Sequence, residues 1–152
     1  MKPSQKLAQL GITLPKPTPP VASYIPGIRV GNTVMVSGQI PIKDGVITLA
    51  GKVGRDVTIE QAQAAARQCA LAGLAIAAEV AGGVDRIKRI VRLGVWVNSA
   101  PGFTAQPKVA NGASDLMIEL FGESGRHVRA AVGANELPLD AAVEVEMMVE
   151  IE

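Results

Sequence analysis

Near the C-terminus, the stretch "HVRAAVGANELPLDAAVEVE" sets Arg129 among alanines and valines and Glu144 between two valines. A guanidinium carries five N–H donors in a fixed fork and can hold a carboxylate through two of them. A nearby carboxylate can orient a water or carry a proton. In a strand, alternation puts His127, Arg129, Ala131 and Gly133 on one face and Val128, Ala130 and Val132 on the other. In "VEVEMMVEI", Val143, Val145, Met147, Val149 and Ile151 share one face, opposite Glu144, Glu146, Met148 and Glu150. If the valine face packs beneath helices, Arg129 and Glu144 are both expected on the far side of the sheet. Ala131 and Gly133 leave room for a ligand beside the arginine, and Ser37 and Gly38 of "VSGQIP" lie where a strand end exposes amides. Such a set suits a small anion. A sheet face can also simply be wet, and periodicity alone leaves that reading open.

Other chemistries find less support. One histidine and one cysteine, far apart, fit no metal-ligand spacing. His127 has no motif relation to Ser37 or Cys69, so a Ser–His or Cys–His nucleophile pair is not expected. "AGGVDR" closes a helix where a dinucleotide fingerprint would open one, and "GESGR" lacks the Lys-Ser/Thr ending of a phosphate loop. No metal and no cofactor are expected. A net charge of +1 and 3% aromatic residues argue against nucleic acid as a partner. The basic run "RIKRIVR" reads as a solvated strand entrance. Cys69 falls in a helical apolar pattern and reads as a buried structural thiol in a reducing, cytoplasmic setting. The first residues lack a signal-peptide pattern, and Arg67 and Glu79 interrupt the long alanine-rich stretch, so no membrane span is expected.

The elements that must position these residues follow from spacing. Residues 1–21 read as an N-terminal extension, extended along "LPKPTPPV", and 22–152 as one domain. "YIPGIRVGNTVMVSGQIPI" is a hairpin about Gly31-Asn32, and Asp44-Gly45 turns into a third short strand. From Thr58, with Gln61 completing a capping box, Ile59, Ala62, Ala66, Cys69, Gly73, Ala77 and Val80 recur at helical spacing until Gly82-Gly83. "RIVRLGVWV" is a strand. A second helix opens near Pro107, with Val109, Ala113, Leu116, Met117, Leu120 and Phe121 as its apolar face. The order β-β-β-α-β-α-β-β predicts an α+β fold, a sheet with two helices on one face.

In this order "YIPGIRVGNTVMVSGQIPI", the helix and strand from "TIEQAQAAARQ" to "LGVWV", and the closing pattern of Arg, LP, D and ExE resemble the Rid (YjgF) family of reactive intermediate deaminases. The same family carries the older names endoribonuclease L-PSP and translation inhibitor. The resemblance runs from about Ala22 to the end. It implies a chorismate-mutase-like fold with a mixed sheet, and a homotrimer with clefts between subunits. It also implies cofactor-free hydrolysis of the enamines and imines that pyridoxal-phosphate enzymes release, giving a 2-oxo acid and ammonia. Carried over by position, Arg129 grips the substrate carboxylate and Glu144 positions the attacking water. Tyr24 stands near the cleft, with Ser37 and Gly38 beside the ligand. The cysteine common two places after the arginine is Ala131 here, leaving only its backbone amide. Asn111 is the nearest counterpart of an asparagine typical of the second helix, in a segment (98–128) longer than in the prototypes. These departures imply a divergent branch. Two other readings stand beside the deaminase: a metabolite-binding or regulatory trimer without turnover, and the endoribonuclease of the older naming, which the near-neutral charge disfavours.

Overall fold

In the computed structural model, which describes every residue except 18 and 21, the chain runs α1 (Pro3–Gln9), β1 (Gly27–Val30), β2 (Thr33–Gln39), β3 (Ile42–Lys43), β4 (Val46–Ile47), α2 (Ile59–Ala81), β5 (Ile87–Asn98), α3 (Gln106–Phe121), β6 (Val128–Ala134) and β7 (Val143–Ile151). One five-stranded sheet has the order β1-β2-β7-β5-β6. Its pairings are antiparallel except the last, where edge strand β6 runs parallel to β5. The short strand expected after Asp44-Gly45 is β4. It pairs only with β3, as a separate hairpin whose two turn residues both take positive φ (52° and 78°).

Sequence dictates the helix limits. The Thr58 hydroxyl accepts the Gln61 N–H at 3.1 Å, and the Gln61 side chain accepts the Thr58 N–H at 2.9 Å. Left-handed Gly82 closes the helix. The alanine stripe then lets α2 lie close on β7: a Cβ added at Gly73 would stand 2.7 Å from Met147 Cε. By length and composition α2 could cross a membrane, but most of it is buried inside this fold. Helix α3 crosses α2 at Gly112, which lies against the backbone of Gln63, and Gln63 Nε2 donates to the Lys108 carbonyl at 2.8 Å. Leu74, Ile90, Leu93, Val95, Leu116, Met117 and Val145 form the centre of the core between the two helices and the sheet.

Two features lie outside the sequence expectation. Pro3–Gln9 is a helix that buries Leu7 and docks Ser4 on Asp85, with Ser4 N–H and O–H donating at 2.9 and 2.6 Å. The connection from β6 to β7 turns through Leu139 and Asp140, both left-handed at φ 57° and 56°. Buried Asn98 pins this turn, donating to the Asp140 carboxylate and the Ala141 carbonyl at 3.1 Å each. Lys52 donates to Asn98 Oδ1 at 2.8 Å and to the Asn135 carbonyl.

Candidate functional site

Strand register decides which way Arg129 points. Leu93 pairs with Arg129 on one side and Met147 on the other, and Val95 likewise joins Ala131 to Val145. Cross-strand partners share a face. Arg129 and Ala131 therefore lie on the helix-covered face, whereas Glu144, paired with Trp96, lies on the open one. The expectation that both charges leave the sheet on one side is corrected. The reason is that, Arg129 apart, β6 carries small or apolar residues on both faces, so its pattern sets no orientation. Packed beside β5, it tucks Ala131 against the core and turns Val128 and Val132 outward, 68% and 40% exposed.

Helix α3 meets the arginine there. Arg129 Nη1 donates to Asn111 Oδ1 at 2.8 Å and to Ser114 Oγ at 3.0 Å, and Nη2 donates to the Pro107 carbonyl at 3.2 Å. Asn111 is thus brought to Arg129, but the guanidinium is not free: its own chain holds it. Of the five N–H groups, Nε–H and one Nη2–H have no partner among the described residues. Two N–H groups are the number that a bidentate carboxylate takes. The fork borders an open depression of about 280 Å³, lined also by Asn111, Ser114, Asp115, Ile118, Arg126 and His127. Asn111, Ser114, Asp115 and Ile118 recur at intervals of three and four, a single stripe of α3.

The remaining candidates gather on the other side of the sheet. Between Val36↔Met147 and Gln39↔Val145 the register slips, a bulge at Ser37-Gly38. There a Cβ on Gly38 would stand 2.5 Å from Glu144 Oε2 and 2.9 Å from its Cδ, so only glycine lets the carboxylate lie against the strand. Burial raises the Glu144 carboxyl above its ordinary pKa, and the charge of Glu146 adds to this. Glu146 itself is paired with Arg92 at 2.9 Å. Ser37 O–H donates to the Ile25 carbonyl at 2.9 Å, tying the bend that carries exposed Tyr24 to β2. One copy therefore holds two separate groups: Arg129 with Asn111 and Ala131, and Glu144 with Gly38 and Ser37.

Sequence reasoning missed Ser114 and left His127 without a partner. The imidazole lies 2.8 Å from Ser114 Oγ and 2.6 Å from the Gly125 carbonyl. His127 shares the arginine's strand face and Ser114 stands three residues after Asn111, so helix and strand periods together contained the signal. Buried Cys69 has its thiol pKa pushed up by desolvation, in keeping with a structural role. Among the described residues, no three His, Cys, Asp or Glu side chains gather as a metal site.

Comparison with known proteins places this geometry. The chain is 47% identical over 146 residues to protein TCP17 of Trypanosoma cruzi, covering 95% of this chain and 91% of that one. It is 28% identical over 141 residues to a 2-iminobutanoate/2-iminopropanoate deaminase of Dermatophagoides farinae, covering 93% and 95%. A Shewanella oneidensis crystal structure described as "a putative endoribonuclease" superposes with a TM-score of 0.94 at 34% identity, over 99% of this chain and 100% of that one. The family described as "YjgF/chorismate mutase-like, putative endoribonuclease" matches residues 4–151. With the α+β fold and the Arg129 setting already in place, the chain belongs to the YjgF/chorismate mutase-like family.

Proposed function

We propose that this protein hydrolyses small enamine or imine intermediates bearing a carboxylate, releasing a 2-oxo acid and ammonia without a cofactor. The observation that carries the reading is the Arg129 guanidinium, immobilised by Asn111, Ser114 and Pro107 with two N–H groups unspent beside an open depression. A donor fork fixed in advance loses little freedom when it binds, and it orients the adjacent C=N carbon for attack. Water adds to that carbon, a proton passes to nitrogen, and the C–N bond of the carbinolamine breaks to give the oxo acid and ammonia. Positioned acid–base help of this kind is worth about 10² to 10⁴ in rate. The deaminase among the relatives supports the same chemistry.

Glu144 serves this reaction from a second copy. In one chain it sits across the sheet from Arg129, so the reading places the working cleft between subunits of a homotrimer, with Tyr24, Ser37 and Gly38 on the Glu144 side. Ile28, Met35, Trp96 and Val132, exposed on the open face, supply apolar surface for that assembly. The raised carboxyl of Glu144 suits a group that takes up and returns a proton. Enzymes that use pyridoxal phosphate in the cytoplasm would supply the substrate. The test is ammonia release from 2-iminobutanoate generated in situ, with the native mass measured in parallel. Release well above buffer by a trimer is expected, and a folded protein without release overturns the reading. The threefold tether of Arg129 favours one alternative, a trimer that binds a 2-oxo acid without turnover. A melting-temperature shift with 2-oxobutanoate and no ammonia would select it.

A further inference from the structure

We infer that His127 is a positioning residue: through Ser114 it fixes the direction of the hydrogen bonds that hold Arg129, and so selects which edge of the guanidinium faces a ligand. The inference rests on the proposed role of Arg129 as a carboxylate anchor. His127 Nδ1 lies 2.6 Å from the Gly125 carbonyl oxygen. A carbonyl has no proton to give, so Nδ1 carries the hydrogen and donates. In the neutral ring, Nε2 is then an acceptor only. Ser114 Oγ stands 2.8 Å from Nε2 and donates its single O–H there. Only lone pairs remain on that oxygen, and Arg129 Nη1 sits 3.0 Å away to use one.

The chain of bonds therefore has one polarity, from guanidinium to serine to imidazole to main-chain carbonyl. A serine hydroxyl is otherwise a rotor whose proton has no fixed direction. Spent on His127, it acts toward Arg129 as a pure acceptor. Asn111 Oδ1 takes the other Nη1 hydrogen at 2.8 Å. Both Nη1 hydrogens are then consumed, and the fork offers a ligand only Nε–H and the remaining Nη2–H. His127 borders the same depression, but in this scheme its effect on Arg129 is indirect. It acts through Ser114, which is 6% exposed and so shielded from competing solvent.

His127 is the only histidine, so its ring nitrogens are identified without ambiguity by long-range ¹H–¹⁵N NMR. The expected spectrum is the Nδ1–H tautomer, and an Nε2–H tautomer would overturn the inference whatever the protein turns over. Two variants extend the test. In His127→Gln the amide oxygen can reach the place of Nε2 and accept from Ser114, whereas His127→Leu offers no acceptor. Slowly exchanging Arg129 Nη1 and Nη2 signals, assigned against Arg129→Lys, should persist in wild type and His127→Gln and merge in His127→Leu. In the imine assay, His127→Leu should lower kcat/KM about tenfold, since the carboxylate is held less firmly and the C=N carbon is less well oriented for attack. His127→Gln should recover most of that loss. Persistence of ordered Arg129 signals in His127→Leu, or failure of Gln to restore them, overturns the inference. Absence of ammonia release by wild type bears instead on the proposed reaction, leaving the NMR arms to decide the role of His127.

Discussion

Replacing Gly112 by alanine sets two effects against each other, and the geometry at the helix crossing decides between them. By helix propensity alone the change should stabilise α3 by about 1 kcal/mol. The added methyl, however, would stand 2.7 Å from the carbonyl carbon of Gln63 and 2.8 Å from its Cα. Ordinary carbon–carbon contact lies at about 3.5–4.0 Å, so the two helices must part by roughly 1 Å. The obstacle is main chain in the second turn of a 23-residue helix, which cannot swing aside as a side chain can. Overpacking of this kind costs about 1–3 kcal/mol, and a backbone obstacle puts it at the upper end. A net loss of about 2 kcal/mol follows, which for a chain of this length lowers Tm by roughly 4–8 °C. Asn111 and Ser114, the side-chain acceptors for Arg129, flank the displaced position, so KM for an imine substrate should rise as well. Differential scanning calorimetry of Gly112→Ala against wild type reads the main effect. An unchanged or higher Tm would refute the reasoning, since propensity would then have outweighed the contact.

The other predictions concern buried polar groups. Burial raises the folded-state pKa of Glu144 above its unfolded value. The stability this group contributes is therefore fully present below the unfolded carboxylate range and is lost as pH rises through the folded value. Glu144→Gln should then gain Tm relative to wild type near neutral pH and lose that advantage in mild acid; a pH-independent difference would contradict this. Lys52→Met keeps the apolar stem but strands the buried Asn98 Oδ1, which should cost about 1–3 kcal/mol in a urea melt. It should also quicken amide exchange around residues 135–141, and unchanged exchange there would show that Lys52 does not hold the turn.

Much of the fold was legible because period and punctuation agreed. Thr58 with Gln61, the alanine stripe of α2 and the Gly82 stop each carry a local signal that packing then reinforces. The valine face of β7 left no doubt about which side meets the helices. Strand β6 was different. Alternation identified which of its residues share a face, but, Arg129 apart, both faces are small or apolar, and only the register with β5 assigns Arg129 to the helix side. The same ambiguity hid Ser114, whose partner lies on another element and whose value depends on where the arginine lands. Helix α1 was missed because its seven residues carry one buried contact, Leu7, and the Ser4–Asp85 bonds join positions 81 residues apart. Arg129 and Glu144 were singled out by type and spacing and Asn111 by the family resemblance, whereas the division of Arg129 and Glu144 between two faces of the sheet needed three dimensions.

The most direct test of the anchoring role is Arg129→Ala, assayed for ammonia release from 2-iminobutanoate with native mass recorded on the same preparation. The variant should keep the wild-type assembly and lose turnover, because the two N–H groups that seize the carboxylate are gone while the sheet and α3 remain. Hydrolysis by that variant at the wild-type rate would contradict the account.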